Sequence, residues 1–586
     1  MRSVIYILYP LYFELYNLFF YFDCAFIDHN TRVDNSKKSK KSYIVIKLNA
    51  NSLTVEFNLP CINLYSILEK NLIQWINKEV NGIGIVINKQ KLFRFKEILG
   101  FLLIFIIGLA LRLIHLNSPL SFDEVCSWAF ARRTPFVHMW SVALSDPTPP
   151  LYYAVLHFTM RFLGDTPALM RIPSVVFGML ILPLVYWCMR QGSFSKEDRL
   201  YAVTVVAVSS MLVYYSQDLR AYSMLAFFGV LSVGLLFRCL RNPILANNLI
   251  YAVTIFILSY THRYSLLLIA AQIICIVLYR RWQTLAASLS TSALILLLLV
   301  IQIFQGKFSY SYAIDRVTNM GSVIALINML NVGTIELRSI TGLQPSPYVS
   351  YPHLSINVAL SIIGLITFSI IFLLGLFKLK EYTPVQRQYI IVLGICIVVP
   401  SMLALLAGTR FVPKPQWLLR GLIYVWPLYY MAAVIAFSKS RFKIYLIAIV
   451  VILNGFSLYP YYNMFSRCEQ AAALEQLNTR TTGKDLVIAN PWYFYEAINY
   501  YYHGSAQRAG YEKTRGWVDL KRLRESENVF TQYLPLTSPP HINGNVYFFW
   551  WIDDLECVKP FHKNNIFVYD GKGNSWKRYM VQNSGY

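Results

Sequence analysis

Two adjacent carboxylates, Asp123 and Glu124, lie in the segment SFDEV at 121–125, directly after an apolar run that ends near 116. Carboxylates at a membrane boundary are costly unless they are paired or used. Neighbouring side chains on a helix point about 100° apart, so these two cannot face each other as the acid/base pair of a hydrolase does. Either one can accept a proton from an acceptor hydroxyl. A second reading stands beside this one. Ser121 followed by Glu124 matches a capping box, and a cap alone accounts for acidic residues at a helix start.

Further polar residues recur at the ends of apolar runs. DPTPPLYY at 146–153 holds Asp146 and Tyr153, and MRIPSVVFG follows at 170–178. YSQDLRAY at 215–222 holds Gln217, Asp218 and Arg220, YTHRY at 260–264 holds His262 and Arg263, and Arg420 precedes Pro427 by seven residues. Singly, each has a plain explanation. TPP is a turn and RIPS a helix start. An arginine in a tyrosine belt can be a snorkelling anchor, and a lone histidine there an interface residue. Together, the arginines suit a different task. A guanidinium pairs with a phosphate in a fork, as the headgroup of a phosphate-bearing lipid would offer.

The elements that must hold these residues are membrane spans. The chain has 586 residues, of which 56% are hydrophobic and only 14% charged. Soluble chains are nearer a quarter charged. The apolar residues fall in runs near 98–116, 171–190, 200–217, 221–240, 247–262, 264–280, 283–303, 355–377, 388–409, 418–437 and 444–461. Each suits a hydrocarbon core of ~30 Å, so an all-α polytopic bundle of about eleven spans is predicted. The net charge of +23 is spread over alternate loops and forms no single patch, which argues against a nucleic-acid partner. Anionic membrane lipids and a phosphate-bearing lipid account for it better.

Charge also sets a predicted topology. With the span near 98 starting in the cytoplasm, every predicted inner loop is basic, for example Lys378, Lys380 and Arg387, or Lys439, Arg441 and Lys443. The exceptions on the other side are Arg220, Arg263, Arg410, Lys414 and Arg420. As a group, cations that break the rule at a boundary point to function. This places loops 117–170 and 304–354 and the tail from 464 to 586 outside, on a catalytic membrane domain at 97–463.

Residues 1–96 read as a cytoplasmic extension. It has a Tyr/Phe-rich run at 4–22 that could be one more span, a basic linker at 37–41, and a β-β-α-β order that weakly resembles β-grasp domains. The tail reads as a small α/β domain. A helix near 469–478, a buried strand at 485–490, a helix at 495–502 and strands at 545–551 and 565–570 are predicted. Of nine cysteines, Cys468 and Cys557 fall in this tail and could pair if it is extracytoplasmic.

In this order and at these positions, the motifs resemble the GT-C membrane glycosyltransferases, in the branch of protein O-mannosyltransferases and lipid A aminoarabinose transferases. The resemblance covers roughly 98–460 and rests on SFDEV, PPLYY, YSQDLRAY and Arg420-x6-Pro427. It implies an inverting glycosyltransferase on the non-cytoplasmic face, in a bacterial inner membrane. Asp123 takes the position of the catalytic carboxylate, with Glu124 beside it. Arg220, Arg420, Arg263, His262, Asp146, Gln217, Asp218 and Tyr153 become candidate contacts of the donor and its phosphate. The family often places His, Asn or Lys before its PPLYY element, where this chain has Thr148. The implied donor is a polyprenyl-phosphate sugar, and the acceptor a hydroxyl of a lipid, glycan or protein. A single phosphate needs less neutralising than a nucleotide diphosphate, and no D-x-D motif or His/Cys cluster is present, so neither metal nor cofactor is expected.

Two other classes fit parts of the pattern. A transporter or lipid-sugar flippase would show internal repeats and broken helices in two halves, with charges at mid-membrane. A receptor or scaffold would leave the first-loop carboxylates without a task.

Overall fold

In the computed structural model the described residues are 44–49, 52–57, 89–144, 146, 148–304, 318–337, 349–409, 419–465, 469–490, 495–512, 516–518, 542–550, 563–570 and 575–579. The chain divides into two compact units, Met1–Lys91 and Leu92–Tyr586. Within the first, strands β1 (Ile44–Asn49) and β2 (Ser52–Phe57) form an antiparallel hairpin with Asn49 opposite Ser52. The possible span at 4–22, the basic linker, the rest of the β-grasp-like order, Arg410, Lys414, Cys468 and Cys557 lie outside the described residues.

The second unit is a helical bundle carrying a small α/β layer. Helix α1 (Lys89–Leu113) leads into a loop holding α2 (Phe122–Ala131), α3 (Phe136–Ala143) and α4 (Leu151–Leu163). The bundle continues with α5 (Pro167–Gln191), α6 (Lys196–Val208), α7 (Ser210–Ser216), α8 (Tyr222–Arg241), α9 (Leu245–Ser259), α10 (Ser265–Leu278), α11 (Trp282–Phe304) and α12 (Met320–Val332). It closes with α13 (Leu354–Phe377), α14 (Pro384–Ala407), α15 (Val425–Phe437) and α16 (Lys443–Asn463). Among the described residues five of these, α5, α8, α13, α14 and α16, are by length and composition able to cross a membrane, and the bent pair α6–α7 makes a sixth if it is one span.

Helices occupy all the predicted runs, yet several fall short of a full span. Helices α9, α10 and α15 have 15, 14 and 13 residues. At 1.5 Å per residue they reach about 20 Å, less than the hydrocarbon thickness. The physical reason is visible between α9 and α10. The turn that ends one and starts the other carries Thr261 and His262, which are 0% and 8% exposed. The surrounding helices enclose the turn, so its irregular backbone is shielded by protein.

The break between α6 and α7 bends the chain by 58°. Such a break frees backbone groups that need partners. The N–H of Ser210 donates to Asn454 Oδ1 on α16 at 3.1 Å. The carbonyl of Ala207 accepts from Arg112 Nη1 on α1 at 3.0 Å. Arg112 is wholly buried and also donates from Nε to Ser216 Oγ at 3.1 Å. These bonds steer the chain at 217–221 toward the end of the bundle where α2 lies.

The tail forms a six-stranded sheet in the order β5-β4-β3-β6-β7-β8, from β3 (Leu486–Asn490), β4 (Gln507–Glu512), β5 (Gly516–Val518), β6 (Val546–Trp550), β7 (Ile566–Asp570) and β8 (Ser575–Tyr579). The four central strands are parallel and the two edges antiparallel. Helices α17 (Glu469–Arg480) and α18 (Tyr495–Tyr501) complete it. One face of the sheet, with Val487, Ala489, Tyr547 and Phe549, joins an apolar cluster with α17, α18 and the first-loop residues Leu120, Val125 and Trp128.

Candidate active site

Helix α2 starts where the sequence places a cap. Ser121 is its N-cap, and Ser121 N–H donates to Glu124 Oε2 at 2.8 Å. The two readings of the acidic pair therefore divide between its members. Glu124 takes the cap. Its carboxylate is also held by Arg171 at the start of α5, with Nε to Oε1 at 2.7 Å and Nη2 to Oε2 at 2.8 Å. Neither side chain reaches solvent. Glu124 Oε1 further accepts the N–H of Leu219 at 2.9 Å.

Glu124 is thus set in structure and does not stand beside Asp123 as a second reacting carboxylate. With both oxygens engaged and none of it exposed, it cannot reach an acceptor. It instead ties the neighbour of Asp123 to the neighbour of Arg220. Arg171 fastens the same corner by donating to the carbonyls of Leu116 at 2.7 Å, Ser118 at 2.7 Å and Pro119 at 3.1 Å.

Asp123 points the other way and is 37% exposed. Its Oδ2 accepts from Arg420 Nη1 at 2.7 Å. Arg420 lies in a short 3-10 turn, Leu419–Leu422, ahead of α15. The next residue, Gly421, has to be small. A Cβ there would stand 2.6 Å from the Tyr264 ring. On the other flank, Arg220 Nη1 lies 3.4 Å from the Asp123 carbonyl and 3.3 Å from Ser127 Oγ. The Arg420 guanidinium carbon sits 5.6 Å from the centre of the Tyr222 ring.

His262 completes this wall. Its ring lies 5.7 Å from Tyr222 and 5.8 Å from Tyr264, and Nδ1 accepts the Tyr264 N–H at 3.2 Å. Burial pushes its pKa down to about 3, with Arg220, Arg420 and Arg263 adding to the effect. A neutral ring that accepts at Nδ1 carries its proton on Nε2. Beside it, Arg263 Nη2 donates to the Asp146 carbonyl at 3.3 Å. The Asp146 carboxylate accepts from Tyr153 OH and from the Thr148 N–H, each at 2.8 Å. Burial raises its pKa, against the opposing charge of Arg220 and the two hydrogen bonds.

Of the candidates read from sequence, Asp123, Arg220 and Arg420 are drawn together, and His262, Arg263, Asp146 and Tyr153 surround them. Gln217 is not among them. It is buried and donates from Nε2 to the carbonyls of Arg112 at 2.9 Å and Ile114 at 2.5 Å, while its Oε1 accepts from Tyr461 OH. It ties α7 to the ends of α1 and α16 and has no group left for a donor phosphate. Asp218 is buried within electrostatic reach of Tyr152 and Tyr222. Arg171 is the residue that the motif reading passed over. Its signal was present, since an arginine at the start of an apolar run calls for an anion nearby.

A partly exposed carboxylate paired with the Arg420 guanidinium, with Arg220 at the backbone of the same residue, sets a proton acceptor beside cations that can meet a developing anion. No protein-family profile and no curated protein matches the chain. Among solved structures, apo ArnT from Cupriavidus metallidurans is 10% identical, with a TM-score of 0.47 over 72% of this chain and 86% of that one. ArnT from the same organism bound to undecaprenyl phosphate is 12% identical, with a TM-score of 0.43 over 71% of this chain and 85% of that one. The oligosaccharyltransferase AglB from Archaeoglobus fulgidus, in complex with an inhibitory peptide and a dolichol-phosphate, is 11% identical, with a TM-score of 0.38 over 71% of this chain and 64% of its own length. ArnT and AglB are both GT-C enzymes, and at these identities the likeness carries no residue-by-residue correspondence.

Proposed function

We propose that this chain is an integral membrane glycosyltransferase that moves a sugar from a polyprenyl monophosphate to an acceptor hydroxyl. The observation that carries the reading is the meeting of Asp123 Oδ2 with Arg420 Nη1 at 2.7 Å, with Arg220 Nη1 3.4 Å from the Asp123 carbonyl. The lipid tail of such a donor stays among apolar helices while its sugar–phosphate bond lies at headgroup level. The alternation of basic loops supports a reading in which that level is on the non-cytoplasmic side.

In the proposed reaction the acceptor oxygen attacks the anomeric carbon, and its proton passes to the Asp123 carboxylate. The bond from the anomeric carbon to the phosphate oxygen breaks, and the electron pair leaves with the phosphate. Arg420 and Arg220 meet the charge that builds there, and Arg263, which acts on the same His262 ring as they do, is the candidate third cation. Attack opposite the leaving phosphate inverts the anomeric centre. The neutral His262, with its proton on Nε2, suits hydrogen bonding to a sugar hydroxyl better than proton transfer. One phosphate facing three guanidinium groups makes no demand for a divalent metal.

The test is direct. Purified chain in lipid nanodiscs is incubated with a panel of polyprenyl-phosphate sugars, and release of the free lipid phosphate is followed by mass spectrometry. Asp123→Asn should abolish release while leaving the thermal transition in place. Wild-type turnover by that variant would sink the mechanism.

A further inference from the structure

We infer that helix α18 of the tail is a splint for helix α2, and that Tyr501 and Glu496 are positioning residues for Asp123. The two helices meet at three places that run in opposite sense along them. Tyr501 OH donates to the carbonyl of Leu120, just ahead of the Ser121 cap, at 2.9 Å. The Tyr500 ring packs edge-on against Trp128 with centroids 4.9 Å apart. Glu496 Oε2 lies 3.7 Å from Arg132 Nη2 at the far end of α2. Arg132 in turn covers the Trp128 ring at 4.1 Å.

The contacts cover α2 from before its first turn to its C-cap. They come from a segment more than 360 residues away, since Tyr501 and Leu120 are 381 apart. Tyr501 and Glu496 are 7% and 4% exposed, so the Tyr501 bond to the buried Leu120 is shielded from solvent, while the ion pair is open on its Arg132 side, 31% exposed. The splint reaches a second point as well, because Tyr500 OH lies 3.5 Å from the carbonyl of Asp165, two residues before α5. Helix α5 begins with the segment that carries Arg171. The tail thus braces both partners of the Glu124–Arg171 corner from outside.

A line of polar contacts leads back into the tail. Asn499 Nδ2 donates to Glu496 Oε2 at 3.2 Å, and Arg508 Nη1 on β4 lies 3.4 Å from Asn499 Oδ1. Strand β4 and the far end of α2 are therefore joined through side chains. A short helix of 10 residues has little stability of its own, so its placement depends on what it packs against. Displacement of a reacting group by about 1 Å is costly to rate even when binding is intact.

The kinetic arm of the test rests on the transferase reading above, and the exchange arm does not. Full-length chain in nanodiscs is compared with Tyr501→Phe, Glu496→Arg, and Glu496→Arg combined with Arg132→Glu. Hydrogen–deuterium exchange of the amides at 120–131 should rise in both single variants and return toward wild type in the charge-swapped double variant. With the polyprenyl-phosphate donor, Tyr501→Phe should lower kcat about five- to tenfold, as expected for one lost buried hydrogen bond, while KM stays within about twofold. Unchanged exchange at 120–131 in both single variants overturns the splint. Raised exchange with an unchanged kcat overturns the positioning role. If wild type transfers no sugar from any donor, the transferase reading falls, and the exchange arm still decides the splint.

Discussion

Asp123 and Arg420 are 297 residues apart in sequence and 2.7 Å apart in the folded chain. The pair exists because two unrelated devices converge. A capped helix presents Asp123 at its first turn, and a 3-10 turn that contains the small Gly421 lays Arg420 against it. The ion pair is only partly buried, with Asp123 37% and Arg420 17% exposed. It is therefore open to exchange its partner for a phosphate, as a donor site requires.

That openness predicts a graded response at Arg420. Arg420→Ala should lower kcat by about 10²- to 10³-fold, the usual cost of removing one donor that meets developing charge. Arg420→Lys keeps the charge but loses the fork, so it should recover part of the rate. Release of lipid phosphate under saturating donor measures both. Equal rates for the two variants would show that shape matters and charge does not.

The Glu124–Arg171 pair should behave differently, because it is wholly buried. Removing one partner leaves an uncompensated buried charge, at about 3–5 kcal/mol. Arg171→Met should lower the thermal midpoint sharply and reduce the yield of folded protein. Glu124→Gln should also lower the midpoint, since a single amide oxygen can accept from Ser121 or from Leu219 but not from both, and the Arg171 charge loses its anion. Arg171→Met combined with Glu124→Leu should recover stability relative to Arg171→Met. Thermal unfolding in detergent, followed by scattering and tryptophan emission, ranks the four proteins.

Much of the site was legible because its residues sit in short polar motifs at the ends of apolar runs. Asp123, Arg220 and Arg420 stand out as charges where a membrane boundary disfavours them. The division of labour between Asp123 and Glu124 was not legible. It is decided by Arg171, whose contact with Glu124 spans 47 residues and depends on how α5 approaches α2. Gln217 misled for the same reason, since its polar look suits a donor site while its bonds reach the ends of α1 and α16. The fold shows a parallel limit. Apolar runs mark where helices lie, but the Ser209 break and the buried turn at His262 are set by partners such as Asn454, Arg112 and the surrounding helices. Run length alone therefore does not show where a helix stops short or bends.

His262 should leave a signature in the pH dependence of stability. Its folded pKa of about 3 lies below the ordinary value near 6.5. The unfolded chain thus binds a proton in that interval that the folded chain refuses, and stability falls as pH drops from about 6.5 toward 3. His262→Gln should flatten this part of the acid limb while preserving a donor for hydrogen bonding. Asp146 acts in the opposite sense. Burial raises its pKa, so its folded form holds the proton longer, and its contribution is lost as pH rises through the raised value. Asp146→Asn should remove that alkaline-side loss. Thermal midpoints measured from pH 4 to 8 separate the two, and a His262→Gln profile parallel to wild type would contradict the neutral imidazole.

The helix break at Ser209 offers the last prediction. Asn454 is wholly buried, its Oδ1 accepts the Ser210 N–H at 3.1 Å, and Tyr430 OH lies 3.3 Å from the same atom. Asn454→Leu is close in size, so its chief effect is to strand a buried backbone donor. That should cost about 1–3 kcal/mol, enough to lower the thermal midpoint by several degrees. The break also aims the segment that carries Arg220, with Arg112 holding the Ala207 carbonyl on its other side. Asn454→Leu should therefore lower kcat as well as stability, although it lies outside the reacting cluster. Asn454→Asp keeps the acceptor and should retain the bend, at the cost of a buried charge unless it takes up a proton. A leucine variant with full activity would mean that the bend is held by packing, and that the position of Arg220 does not depend on the hydrogen bonds at the break.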